Sequence, residues 1–79
     1  MLPADGALDV RLMRTLYLLL TECSVSRTAD ILGQTQPTVS LALKRLRYIL
    51  GDPILVRSGS TLVPTERGLE LRESVKRLL

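Results

Sequence analysis

VSRTADILGQTQPTVSLALK, residues Val25–Lys44, is the stretch whose reading decides the fold. It divides at Gly33-Gln34-Thr35 into two short helical patterns. Ser24 and Ser26 compete as the N-cap of the first, since either hydroxyl can accept from the opening turn. Gly33 follows Leu32 where that helix must stop, and glycine supplies the positive φ of a helix end. Thr35 then caps the second helix, and Pro37 lies in its first turn, where no N–H partner is needed. With Val39 as the centre of a face, Ala42, Leu43, Leu46, Ile49 and Leu50 fall on the same side at the helical period. Pro37, Leu41, Lys44 and Tyr48 fall opposite, flanked by Thr38, Ser40 and Arg45. The inward face is aliphatic; the outward face is small, polar and basic. Ala29, four positions before Gly33 and ten before Val39, lets two helices cross closely. The pattern predicts a helix-turn-helix over 25–44, with its second helix over 36–50.

Upstream, Met1–Ala7 contains Pro3 and Asp5-Gly6 and is expected to be a disordered tail. Asp9 is a candidate cap for a first helix. Leu12, Leu16, Leu19 and Cys23 form its stripe, with Met13 and Leu20 beside them and Tyr17 and Leu18 off it. Downstream, Gly51 ends the long helix and Asp52-Pro53 prevents continuation. Ile54–Arg57 and Thr61–Val63 are β-prone runs around Ser58-Gly59-Ser60, a hairpin placed as a wing. Pro64 closes it, and Thr65 caps a last helix with Leu71, Val75, Leu78 and Leu79 at helical spacing. Gly68 weakens that helix's first turn and stands where a capping box would want Glu or Gln. The expected fold is mainly α: a winged helix-turn-helix over 8–64, with a three-helix core and a β-hairpin wing, then a C-terminal helix over 65–79. The chain stops in mid-pattern without a C-cap, so the natural protein is expected to continue.

Seventy-nine residues make one small domain, which buries about 60% of its unfolded surface. An apolar content of 46% argues for a packed globule. Without Phe or Trp, and with only Tyr17 and Tyr48, the core must be aliphatic. The same scarcity argues against single-strand binding, which needs stacking platforms. With no His and a lone Cys23, neither a metal nor a cofactor is expected. No carboxylate pair or nucleophile–base pair has telling spacing, so no catalytic residue and no enzyme is expected. The longest strongly apolar run, Leu16–Leu20, is too short to span a membrane. A cytoplasmic protein is expected. Net charge is +3, and its excess lies on the helix-turn-helix and the residues after it; an ordinary solvated face carries such a sum too, so charge alone does not separate that reading from a nucleic-acid partner.

These residues resemble a family. Ser24-Val25-Ser26-Arg27-Thr28-Ala29, Leu32-Gly33, Thr35-Gln36-Pro37-Thr38-Val39-Ser40, Leu46, Leu50-Gly51-Asp52-Pro53, Val56-Arg57 and Val63-Pro64-Thr65 are together similar to the N-terminal domain of LysR-type transcriptional regulators. The resemblance implies a bacterial, nucleoid-associated winged helix-turn-helix, a dimerising linker helix, and a C-terminal effector domain, outside this chain, that binds a small co-inducer. By matching position it implies DNA contacts at Thr35, Gln36, Pro37, Thr38, Ser40, Leu41 and Lys44, with Arg57 in the wing. This chain departs from the family at Gln34, usually aliphatic, at Thr28, often Ala, and at Arg67, often small. Leu41 departs too, since a polar or basic residue is commoner there.

The expected function is therefore sequence-specific binding of duplex DNA, with the second helix of the motif in the major groove. Gln36 would bond adenine, Thr38 and Ser40 several bases, and Leu41 a thymine methyl. Lys44 and Arg45 would neutralise phosphates, and Ser26 and Arg27 would bring a helix N-terminus to another. A pseudo-palindromic operator would match a homodimer or higher oligomer. Leu71, Val75, Leu78 and Leu79 are the expected dimer stripe, on a helix lying beyond the wing and outside the three-helix core; the alternative is packing against Tyr17, Leu18 and the first helix of the same chain, and the two contacts are compatible. The alternative, a winged helix used for protein–protein interaction, fits poorly with an outward face carrying Lys44, Arg45 and Arg47 and no acid.

Overall fold

The computed structural model describes residues 9–79, so the tail expected over 1–7 lies outside it. The elements run α1 (Val10–Glu22), α2 (Val25–Leu32), α3 (Gln36–Leu50), β1 (Leu55–Ser58), β2 (Thr61–Pro64) and α4 (Glu66–Leu78). This is the expected winged helix-turn-helix order.

Every helix starts on a side-chain oxygen. Asp9 Oδ1 accepts from the Leu12 amide at 2.8 Å, Ser24 Oγ from Arg27 at 3.1 Å, Thr35 Oγ1 from Thr38 at 3.3 Å and Thr65 Oγ1 from Gly68 at 2.9 Å. Of the two competing serines, Ser24 is the cap and Ser26 falls inside the first turn. Each such cap contributes about 1 kcal/mol. Gly33 and Gly51 close α2 and α3 in the left-handed conformation, at φ 66° and 64°. The Gly33 amide reaches back to Asp30 and the Gln34 amide to Ala29, so the turn is closed by backbone despite its glutamine.

α1, α2 and α3 pack against one another around a wholly aliphatic core. Leu16, Leu19 and Leu20 come from α1, Ala29 from α2, and Val39, Leu43 and Leu46 from α3. Burying a leucine side chain contributes about 1.5–3 kcal/mol, so these few residues dominate stability. Thr28 is fully buried, and its hydroxyl has no hydrogen-bond partner. Such a group detracts from stability, by about 1–3 kcal/mol.

Two features differ from the sequence expectation. The hairpin begins one residue later than expected and pairs Leu55 with Pro64 through to Ser58 with Thr61. Ile54 stays out of the strand because its φ is 57°. The second difference corrects the placement of the last helix. α4 is not outside the core: it packs on α1, and Val75 is only 5% exposed within its own chain. Leu71 lies half-buried against the same core, whereas Leu78 and Leu79 remain 70% and 55% exposed. The apolar stripe is thus divided, its first half used internally.

Gly68 explains how α4 reaches this position. A Cβ built there would lie 2.5 Å from the Ile54 carbonyl oxygen and 3.1 Å from Leu20 Cδ2. The first turn of α4 therefore rests directly on backbone, which cannot move aside as a side chain can. Gly68→Ala should destabilise the chain by about 1–3 kcal/mol, although alanine favours a helix more than glycine does. Urea denaturation would measure this, and a stabilised variant would show that the close approach is absent.

Candidate nucleic-acid interface

The outward face of α3 is defined by what the core leaves out. Val39, Leu43 and Leu46 turn inward, and Ser40, Leu41, Lys44 and Arg45 between them face solvent. Gln36, Pro37, Thr38, Ser40, Leu41, Lys44 and Arg45 are all exposed. Leu41 is 68% exposed and Tyr48 88%, large apolar surfaces that the fold itself does not use. Every sequence-predicted contact on this helix therefore lies on its accessible side.

A second group converges from three elements. Ser26 at the start of α2, Gln36 at the start of α3 and Arg57 of the wing line one open cleft. Ser60, Thr61 and Leu62 of the hairpin line it too. Sequence reasoning passed over these three, and the only signal for them was their place at the tip of a wing. The α2 amides at this end carry the positive end of the helix dipole. Arg27 is not turned to the cleft: its Nε donates to Glu22 Oε1 at 3.1 Å, and it lies instead beside Asp30 and Ile31. The pair is largely exposed on the arginine side and can exchange partners at little cost.

Thr35 and Thr38 are coupled. Besides the cap bond, their hydroxyl oxygens lie 2.9 Å apart, so one donates to the other. Whichever donates, the Thr38 hydroxyl retains acceptor capacity for an outside donor.

Arg47 has a role the helical angle did not reveal. Its Nε donates to the Pro53 carbonyl at 3.0 Å and its Nη2 to the Leu55 carbonyl at 2.9 Å. The planar fork matches two carbonyls on the segment leading into β1. It fixes the wing, and hence Arg57, relative to α3. Among the described residues no cluster of His, Cys, Asp or Glu could hold a metal, and no helix is long and apolar enough to cross a membrane.

Residues 10–69 match the model of a family described as bacterial regulatory helix-turn-helix proteins of the lysR family. The chain is 47% identical over 68 residues to the transcriptional activator NahR of Pseudomonas putida, covering 86% of this chain and 23% of NahR. Among solved structures it is similar to a probable transcriptional regulator, PA0477, from Pseudomonas aeruginosa, with TM-score 0.83, 31% identity and coverage of 90% and 24%. It is also similar to the BenM DNA-binding domain in complex with catB site 1 DNA, with TM-score 0.82, 25% identity and coverage of 90% and 80%. The chain spans about a quarter of the length of the curated relatives it matches.

Arg47→Ala should loosen the wing before it affects the helices. Charge-assisted bonds to exposed backbone suggest a loss of about 1–2 kcal/mol. Amide exchange in β1 and β2 should accelerate more than in α1, and Arg47→Lys should recover only part of the loss. Equal protection of the wing in wild type and Arg47→Ala would remove Arg47 from this role.

Proposed function

The chain belongs to the LysR family of bacterial helix-turn-helix regulators, and from that footing we propose that it is the DNA-reading part of a transcription regulator. α3 enters the major groove, which admits a helix and presents a distinct pattern for each base pair. The observation that carries this reading is the convergence of Ser26, Gln36 and Arg57 on one cleft beside an exposed polar and basic helix face. The likeness to a domain solved on DNA supports it.

In this reading the roles divide by chemistry. Gln36 bonds an adenine edge, while Thr38 and Ser40 bond bases that offer either a donor or an acceptor. Leu41 packs on a thymine methyl, and Pro37 lets the helix start close to the bases. Thr35 and Ser26 present helix N-termini to phosphates. Lys44 and Arg45 meet the backbone on one side and Arg57 on the other. Arg27 joins them after leaving Glu22.

The full regulator is a dimer, or a higher oligomer, that answers a small co-inducer through a domain beyond these residues. Within this chain, the surface that supports dimerisation is the outer half of the α4 stripe. Leu79 lines a groove with Val10, Arg14, Tyr17 and Leu18 of α1, and Leu78 is exposed nearby in sequence. Apolar area left in water is unfavourable by about 25 cal/mol per Å², and a second copy would cover it around a two-fold axis. Two recognition helices would then meet a pseudo-palindromic operator about one helical turn apart, or a multiple of it. Val75 and Leu71 serve this surface indirectly, by seating α4 on α1.

Lys44→Ala should weaken binding to every duplex and flatten the log–log salt slope by about 0.9. Gln36→Ala should instead lose about 1–3 kcal/mol of discrimination at one base pair. A duplex titration over a salt series measures both. No binding of any duplex at low salt would overturn the reading.

The dimer surface has its own expected outcome. Leu78→Asp alters an exposed residue, so the fold should persist while self-association weakens. Sedimentation equilibrium with circular dichroism would detect this, and unchanged association would exclude Leu78.

A further inference from the structure

A second cleft lies between the start of α1 and the middle of α3. Asp9, Arg11 and Thr15 line it from α1, Thr38 and Arg45 from α3, and Gln34 from the turn. Asp9 is the one acid among the described residues on its wall, set against two guanidinium groups. Its two oxygens have different tasks. Oδ1 accepts from the Leu12 amide at 2.8 Å and caps α1, whereas Oδ2 lies 3.7 Å from Arg11 Nη2. The Leu12 amide holds the Asp9 carboxyl below its usual range, and the charges of Arg11 and Arg45 lower it further. Both arginines therefore feel the same carboxylate.

The Arg11 side chain is 93% exposed, and its contact with Asp9 is long. An exposed pair of this kind contributes little to stability, so Arg11 can be drawn off by a stronger anion. Thr38 connects the cleft to the outward face of α3, since it belongs to both. A nucleic-acid backbone passing along α3 would thus run beside Arg11 and Arg45.

We propose that this cleft is a further backbone contact for duplex DNA, in which Asp9 stands in for a phosphate until one arrives. The inference rests on the reading that α3 enters the major groove. On binding, a phosphate takes Arg11 from Asp9 Oδ2 and meets Arg45 on the opposite wall of the cleft, while Oδ1 keeps the α1 cap. A duplex phosphate outcompetes the carboxylate because neutralising it also releases condensed counterions. Asp9 then acts against weak, sequence-independent binding: its charge repels the backbone and occupies Arg11. Arg11 becomes a backbone contact that lies outside the helix-turn-helix altogether.

The test uses this chain and a random-sequence duplex as probe, with affinity measured over a salt series. Arg11→Gln should bind more weakly, with a log–log slope shallower by about 0.9. Asp9→Asn keeps a cap of similar quality and removes the charge. It should bind at least about twofold more tightly at the lowest salt, as expected for removing a like charge nearby. Asp9→Ser, a second uncharged cap, should match it, with circular dichroism reporting α1 intact in both. The gain should shrink when Arg11→Gln is also present. A wild-type slope in Arg11→Gln overturns the inference, as does a folded Asp9→Asn or Asp9→Ser that binds no more tightly than wild type. A wild-type chain that binds no duplex overturns the DNA-binding reading itself, and this inference with it.

Discussion

A β-branched residue held at positive φ governs everything after α3. Ile54 has φ 57° and is fully buried. Such a conformation is unfavourable by about 1–3 kcal/mol and persists only where its surroundings over-determine it. Here they do. The Asp52 carboxylate accepts from both the Ile54 amide at 2.7 Å and the Thr65 hydroxyl at 2.8 Å. The Thr65 amide returns a bond to the Ile54 carbonyl at 2.9 Å, and Gly68 leaves room for that same carbonyl. One acid thus ties the exit from α3 to the entry of α4, across the whole wing. Without the reversal at Ile54, Leu55 would not reach the core and the hairpin would have no anchor.

The parts of this structure that were legible in the sequence are those fixed by near neighbours. Caps at Asp9, Thr35 and Thr65 and stops at Gly33 and Gly51 are decided within four residues, so composition and order reveal them. Face assignments on α3 follow from the helical angle and hold at Val39, Leu43 and Leu46. What failed was decided over distance. The late start of β1 depends, besides Asp52, on Thr65 and Gly68, ten or more residues on. Gly68 reads locally as a weak point in a helix, yet its value is the backbone contact it permits. The stripe of α4 shows which residues seek cover but not what covers them, and α1 takes Val75 while leaving Leu78.

The site divides in the same way. That Thr38, Ser40, Leu41 and Lys44 share an accessible face was readable from spacing, whereas Gln36 was marked only by the family resemblance. That Ser26 and Arg57 meet Gln36 around one cleft was not, because it depends on how the wing returns beside α2 and α3. Nor does spacing disclose partners. Arg47 is exposed on α3, but its long side chain folds back over the helix end to two carbonyls. Arg27 finds Glu22 across the α1–α2 turn, and Arg45 shares a cleft with Asp9 at the start of α1.

These partnerships separate a rigid frame from an adaptable surface. Arg47 binds backbone, and its bonds, with those of Asp52, set where the wing stands. Breaking them would move an element. Arg11, Arg27 and the Thr35–Thr38 pair bind side chains in water, and breaking them moves only themselves. An exposed ion pair contributes about 0–1 kcal/mol, far less than a strained or anchored segment. A ligand approaching α3 therefore meets a backbone already in place and side chains that reorganise cheaply. For a small domain with a modest aliphatic core this division matters, because binding can draw on the surface pairs without loosening the packing that positions them.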